Sequence, residues 1–294
     1  MDLAGKTLFI TGASRGIGLA IALRAARDGA NIAIAAKTAE PHPKLPGTIF
    51  SAAEEIERAG GKALPLVVDV RDEAATLEAA RRTADVFGGI DICINNASAI
   101  SPVKTALVEP KRYDLMQDIN VRGSFFTVQA CLPYLVAAEN PHILSLSPPV
   151  NLDPRWLGRH VAYTLSKYGM SLAALGFAAE FREQGIAANT LWPRVGIATA
   201  AIQFALADAE ALRKCRTSEI MADAAYWILT QPARSCSGNA FIDDTLLYEA
   251  GVRDFDRYRV DAAYPLRPGL FIPESCPPPP GVDLSPAASA RTAP

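Results

Sequence analysis

The chain has 294 residues, half of them apolar and a fifth charged, with a formal net charge of −2. That balance belongs to a folded globular protein and excludes the surplus of basic charge that binds nucleic acid or an acidic membrane surface. The N-terminus, MDLAGKTLFI, has no basic stretch leading into a long apolar one, and no run reaches the roughly 20 apolar residues of a membrane span, so the expected location is cytoplasmic.

Short runs rich in isoleucine and valine alternate with segments of helical period, the pattern of a parallel sheet covered by helices. The first run, TLFI (7–10), leads into TGASRGIG, a glycine-rich turn that opens a helix. Glycine there lets backbone approach a pyrophosphate, and the free N–H groups of a helix start hold the anion. The candidate cofactor contacts are Gly12, Ser14, Arg15, Gly16, Ile17 and Gly18. The second run, NIAIA (31–35), leads to Lys37 instead of the carboxylate that accepts from a ribose 2′-hydroxyl. Lys37 and Arg15 together suit the 2′-phosphate of NADP(H); Lys37 taken alone would read as a solvated charge at a strand end, but the missing acid still argues for NADP(H). The proline-rich PHPKLPGTIFS (41–51) exceeds an ordinary connection and is expected beside the cofactor's outer end.

The third run, ALPLVVDV (63–70), closes on Asp69 and Val70, two further candidate cofactor contacts. Asp69 can accept from an adenine amino group; taken alone, it would equally cap a loop. DICINN (91–96), HILSLS (142–147), ANTLW (188–192) and AFID (240–243) complete seven strand candidates, separated by helical stretches such as EAATLEAARRTADVFGG and the long RYDLMQDINVRGSFFTVQACLPYLVAA. The expected fold class is α/β, a doubly wound parallel sheet of about seven strands with helices on both faces, a single Rossmann-type domain over 1–275. From Cys276 onward CPPPPGVDLSPAASARTAP removes donors and offers little to bury, so 276–294 is expected to be an extended or disordered tail.

Tyr163 and Lys167 stand four apart, as neighbours on one helical face do. A nearby ammonium favours phenolate, which lowers the tyrosine's pKa toward working pH and lets it exchange a proton with an alcohol or carbonyl oxygen. The five cysteines (Cys93, Cys131, Cys215, Cys236, Cys276) form no C-x-x-C pair and the three histidines (His42, His142, His160) are dispersed, so reduced thiols and no metal site are expected.

Taken in order, TGASRGIG (11–18), DV (69–70), NNAS (95–98), Asn120 of INVRGSF, YTLSK (163–167) and WPRVGIAT (192–199) resemble the short-chain dehydrogenase/reductase family over roughly residues 5–250. Two of these depart from the family's usual form, NNAS standing for N-N-A-G and WPRVGIAT for a stretch with P-G. The resemblance implies that Tyr163 is the general acid/base and that Lys167 holds the nicotinamide ribose and tunes the tyrosine. It also implies that Asn120 anchors a water in a proton relay through Lys167, and that Asn95 and Ala97 shape the cofactor pocket. The family's substrate-orienting serine precedes the tyrosine by about thirteen residues, which here reaches Val150, a side chain with no donor. Ser147 ends the fifth run and fills the role if the loop is longer by three residues. Alignment by the strand end puts Pro148 in that slot and makes Asn151 the nearest substitute, and a third possibility is no replacement at all.

SPPVNLDPRW, HVAYTLSKYGMS, LWPRVGIATAA and GNAFIDDTLLYEAGVRDFDRY resemble one group of that family more closely, the hydroxysteroid-dehydrogenase-like protein 2 group. Its animal members add a sterol-carrier-like domain and are peroxisomal, whereas this sequence ends in RTAP without such a domain, so neither property is carried over. Trp156, Leu157, Trp192 and the apolar stretch 198–212, read as a lid helix, suit a lipophilic alcohol or carbonyl substrate. No nucleic acid or membrane partner is expected, and the family resemblance implies a homo-oligomer, a dimer or tetramer. The displaced serine and the prolines at 148 and 149 motivate a second reading, an NADP(H)-binding scaffold or sensor that has lost turnover.

Overall fold

The computed structural model describes residues 1–42, 45–200, 202 and 209–285. Seven parallel strands form one sheet: β1 (Thr7–Thr11), β2 (Asn31–Ala36), β3 (Lys62–Val67), β4 (Ile92–Asn95), β5 (His142–Ser145), β6 (Ala187–Trp192) and β7 (Ala240–Ile242), in the spatial order β3-β2-β1-β4-β5-β6-β7. The helices are α1 (Gly16–Ala26), α2 (Ile49–Arg58), α3 (Glu73–Phe87), α4 (Pro110–Met116), α5 (Ser124–Leu135), α6 (Pro154–Leu157), α7 (Val161–Glu180), α8 (Ala209–Arg213), α9 (Glu219–Leu229) and α10 (Asp243–Glu249). This is the doubly wound single domain expected from the sequence. Every expected strand forms, although β3 stops at Val67 and leaves Asp69 and Val70 in the loop beyond it.

Burial on both faces explains why the strands read as continuous apolar runs. Leu8 and Ile10 of β1 pack with Ile32 and Ile34 against Ile21 of α1, Ile56 of α2, Ile228 of α9 and Leu246 of α10. Phe9 points the other way, with Ala33 and Cys93, toward Ala80 of α3, Val128 of α5 and Phe177 of α7. A side chain of this size stabilises the fold by roughly 1.5–3 kcal/mol when fully buried, so a one-residue slip of β1 would forfeit several such contributions. The order reverses between β1 and β4, and the crevice over their C-terminal ends is where such a sheet takes its ligand.

The long helix expected across 112–138 is broken by a π-helical turn, Gln117–Gly123, between α4 and α5. Two packing demands meet there. Asn120 is wholly buried and bonded across to Ala99, and a Cβ at Gly123 would stand 2.8 Å from Val70 Cγ2. An extra residue in the turn lets both be met.

The tail boundary at 276 requires correction. Val282 is buried in the main core with Leu284 packed against it, Leu284 pairs with Leu266, and the Ser285 N–H donates to the Leu266 carbonyl at 2.8 Å. The apolar pair Val282 and Leu284, two residues apart, is what holds this proline-rich stretch; residues 286–294 lie outside the described residues. The expected lid is described at 198–200, at 202 and from 209, where α8 lies, and its remaining positions lie outside the described residues. No helix among the described residues is long and apolar enough to cross a membrane.

His142, at the start of β5, is fully buried, with Nε2 3.1 Å from the Gln231 carbonyl and Nδ1 without a partner. Burial pulls its pKa down to about 4. The unfolded chain binds this proton at higher pH than the folded one, so His142 lowers stability as pH falls from about 6.5 to 4. The expected loss is on the order of 2–3 kcal/mol. Urea titrations at pH 7 and pH 4 should show a drop that His142→Gln reduces.

Candidate active site

The site grows out of the loops at the C-terminal ends of β1, β2, β4 and β5. Gly12 and Gly16 have φ of 69° and 60°, the left-handed region that glycine enters freely. Gly18 is needed for space: a Cβ there would lie 2.5 Å from Asn96 Nδ2. That amide donates to the Thr11 carbonyl at 2.8 Å and the Gly12 carbonyl at 3.1 Å, while the Thr11 hydroxyl accepts from the Asn96 and Ala97 N–H groups. Asn96 therefore locks the glycine loop to β4. Sequence reasoning named its neighbours Asn95 and Ala97 and passed over it, because the NN doublet does not reveal which asparagine faces the loop. Asn95 is buried, its Nδ2 3.4 Å from Ser145 Oγ and its Oδ1 without a partner. At the start of α1, Arg15 makes no side-chain cap, so the N–H groups of the first turn stay available to an anion. Ser14 is buried in this loop and Ile17 packs at the edge of the core.

The loop after β2 folds back over this turn. Arg15 donates from Nε to the Pro46 carbonyl at 2.8 Å and from Nη2 to the Gly47 carbonyl at 2.9 Å. Lys37 is exposed at the end of β2. Asp69 forms a two-pronged pair with Arg71, closest at 2.6 Å, and that hydrogen bonding, helped by the charge of Lys37, holds its carboxyl below the usual range. Its neighbour Val70 is buried. Arg71 was absent from the sequence-derived set. It is tied to the Asp69 carboxylate, on which the charge of Lys37 also acts.

On the other side of the crevice, α7 carries Tyr163 and Lys167, both buried. Lys167 Nζ donates to the Leu146 carbonyl at 2.9 Å and sits 5.5 Å above the Trp192 ring. Burial pulls its pKa down to about 7 and pushes the Tyr163 phenol above its ordinary value. The direction for Tyr163 is opposite to the one the helical spacing suggested, because desolvation dominates and lysine itself is driven toward its neutral form. Asn120 accepts from the Ala99 N–H at 2.8 Å and donates to the Ala99 carbonyl and to Ser166 Oγ, both at 2.9 Å. Its side chain is thus committed to fixing the loop after β4 against α7.

Ser147, two residues past β5, is fully buried and its hydroxyl has no partner. Asn151 has its Oδ1 engaged by the Asp153 N–H at 3.0 Å, and its main chain is tied to the Tyr168 hydroxyl. Of the two candidates for orienting a substrate, Ser147 is the one with an uncommitted side-chain oxygen.

An aromatic shell surrounds Tyr163. Phe271, which the sequence did not single out, has its ring centroid 6.1 Å from that of Tyr163 and 5.9 Å from those of both Trp156 and Trp192. Leu157, expected at the mouth, is exposed. Behind this shell lies a buried ionic cluster. Arg194, standing where the resembled family has glycine, pairs with Asp244 at 2.7 Å, and Arg216 pairs with the other oxygen of Asp244 at 2.9 Å. Asp243 accepts from the Arg194 and Asp244 N–H groups.

Comparison with known proteins follows this geometry. The chain is 56% identical over 270 residues to Hydroxysteroid dehydrogenase-like protein 2 of Danio rerio, which covers 92% of this chain and 64% of that protein, so the chain spans about two thirds of that relative's length. A solved Xanthomonas campestris structure covers 93% of this chain and 100% of its own at TM-score 0.90 and 56% identity. A short chain dehydrogenase from Mycobacterium thermoresistibile covers 97% and 100% at TM-score 0.89 and 51% identity. The short chain dehydrogenase family model matches residues 6–208. With that match spanning the glycine loop, the asparagine turn and the Tyr163–Lys167 pair, the chain belongs to the short-chain dehydrogenase/reductase family.

Proposed function

We propose that the protein is an NADP(H)-dependent oxidoreductase acting on a lipophilic alcohol or carbonyl compound, with Tyr163 as general acid/base. The observation that carries this reading is the buried Tyr163 and Lys167 on one face of α7, together with a glycine loop that opens α1 with no side-chain cap on its first-turn N–H groups. Gly12, Ser14, Arg15, Gly16, Ile17 and Gly18 would hold the pyrophosphate and Asn95, Ala97 and Val70 would line the pocket beyond it. The bound nucleotide supplies or accepts the hydride. In the reducing direction the Tyr163 hydroxyl would give its proton to the substrate oxygen as the carbon receives hydride, and Lys167, one turn along α7 with a pKa of about 7, would return a proton to the phenolate. Ser147 would steady the substrate oxygen with its uncommitted hydroxyl. The Asn120 side chain holds the loop, so a relay water would be bound by its main chain in the π-helical turn.

Lys37, exposed at the end of β2 where a carboxylate would accept from a ribose 2′-hydroxyl, supports NADP(H) over NAD(H). Lys37 would meet the 2′-phosphate, with Arg15 joining it once its guanidinium leaves the Pro46 and Gly47 carbonyls, and Asp69, paired with Arg71, would border the adenine. One charge-assisted contact contributes about 1.5–3 kcal/mol. Lys37→Ala is therefore expected to raise the NADPH dissociation constant roughly tenfold and leave that of NADH unchanged. Equal effects on both nucleotides, measured by fluorescence titration, would remove Lys37 from this role.

Exposed apolar side chains on α7 (Leu165, Leu172) and α5 (Phe125) support a homo-oligomer built on these helices. A nucleotide-binding protein without turnover is the second reading, favoured by the enclosure of Tyr163 beneath Phe271. Near-ultraviolet absorbance of NADPH with alkanones, terpenals, oxosteroids and 3-oxoacyl thioesters separates the two readings. Oxidation of NADPH by any of them sustains the enzyme, and binding without oxidation sustains the scaffold.

A further inference from the structure

The chain from Leu266 to Cys276 lies outside the sheet, yet it closes over the catalytic face. Gly269 donates its N–H to the Arg194 carbonyl at 2.7 Å, and the Leu270 carbonyl accepts from Trp192 Nε1 at 2.8 Å. Further along, the Cys276 carbonyl accepts from Arg194 Nη1 at 2.7 Å. Arg194 is itself held by Asp244 and by the Thr245 hydroxyl, so the segment is fastened to this one buried residue at two points, to its main-chain carbonyl at Gly269 and to its guanidinium at Cys276. A Cβ at Gly269 would stand 2.9 Å from the Arg194 carbonyl, so the approach is as close as glycine allows.

Between these fastenings sits Phe271, with φ of 66°, the one non-glycine residue at positive φ among the described residues. For a bulky side chain that conformation is costly and persists only where surrounding contacts impose it. Its ring is 1% exposed and touches Tyr163, Tyr168, Trp156 and Trp192. Surface cavities of about 380 Å³ and 630 Å³ open elsewhere, beside α4 and α7 and beside Asp69, and neither is lined by Tyr163.

We propose that Phe271 is the specificity-determining residue of the substrate chamber, admitting unbranched aliphatic carbonyl compounds and excluding fused-ring ones. This rests on the reading of Tyr163 as the acid/base. Phe271, its ring centroid 6.1 Å from that of Tyr163, would border any substrate whose oxygen reaches the Tyr163 hydroxyl. With the backbone pinned on both sides, the adjustment open to the segment is rotation of that ring. A rotated ring clears a slot for a single chain. It does not clear the width of a rigid polycycle.

The test uses the full chain saturated with NADPH, with undecan-2-one and trans-1-decalone titrated against tryptophan emission, since Trp156 and Trp192 flank the ring. Phe271→Gly removes the ring at a φ where glycine is relaxed, so the backbone need not move. Phe271→Leu is the second variant, for which circular dichroism verifies folding alongside wild type. Wild type is expected to bind undecan-2-one more tightly. Phe271→Gly is expected to shift the affinity ratio at least about tenfold toward the decalone and Phe271→Leu about threefold, within the range by which pocket volume discriminates ligands. A ratio unchanged within about twofold in both variants, or a wild type that prefers the decalone, overturns the proposal. Because the readout is binding, absence of NADPH oxidation would fail the enzymatic reading without deciding this one.

Discussion

Tyr163→Phe is expected to lower hydride transfer by about three orders of magnitude while leaving the NADPH dissociation constant within about twofold of wild type. General acid–base catalysis contributes roughly 10²- to 10⁴-fold, and the phenolic hydroxyl is the one atom removed. The ring stays, so its packing against Phe271 and in the apolar cluster with Ala162 and Met116 is kept. The burial that pushes the phenol upward also keeps it protonated at neutral pH, the form that donates to a carbonyl oxygen. A loss of binding matching the loss of rate would instead place Tyr163 among the cofactor-holding groups. NADPH fluorescence titration beside absorbance kinetics separates the two outcomes.

The largest effect on stability is expected at Asp244. Its carboxylate joins the Arg194 and Arg216 guanidiniums, and all three side chains are inaccessible or nearly so. Removing one partner of a buried ion pair leaves a charge that neither water nor protein solvates, a cost of about 3–5 kcal/mol. Asp244→Asn keeps the shape and deletes the charge. Asp243 beside it is held above the usual carboxylate range, chiefly by burial and then by the charge of Asp244. Loss of that charge makes Asp243 easier to ionise, which offsets part of the cost and puts the expected value near 3 kcal/mol. A urea unfolding midpoint that moves by less than the equivalent of about 1 kcal/mol would show that the cluster is not the fastening described here. Because Arg194 also holds the Cys276 carbonyl, this variant should loosen the segment over Tyr163 as well.

These outcomes draw on parts of the molecule that were unequally legible in the sequence. The seven strands and the glycine turn follow from local pattern, since runs such as NIAIA have no stable place except inside a covered sheet. The pair on α7 was visible from its spacing once the glycine turn upstream gave that spacing meaning. Its electrostatics was not, because spacing reports proximity and the pKa of both groups follows from burial, which the distant Phe271 and Trp192 complete. Phe271 sits in PLRPGLFIPES, a stretch without period, and its position is fixed by contacts to Arg194 more than 70 residues earlier in the chain. Arg194 looked like a departure from a glycine; the structure gives it a task that glycine cannot perform. Ser147 could not be assigned by counting, and its uncommitted hydroxyl is the feature that now distinguishes it from Asn151.

The central claim is hydride transfer that depends on Tyr163 and prefers NADPH. Its most direct test is a single-turnover experiment in which wild type and Tyr163→Phe, each saturated in turn with NADPH and NADH, are mixed with undecan-2-one and followed by nicotinamide absorbance. Rapid oxidation of NADPH by wild type, slower oxidation of NADH and oxidation slowed about a thousandfold with Tyr163→Phe is the predicted result. Equal rates for wild type and Tyr163→Phe, or bound NADPH that neither protein oxidises, would contradict it.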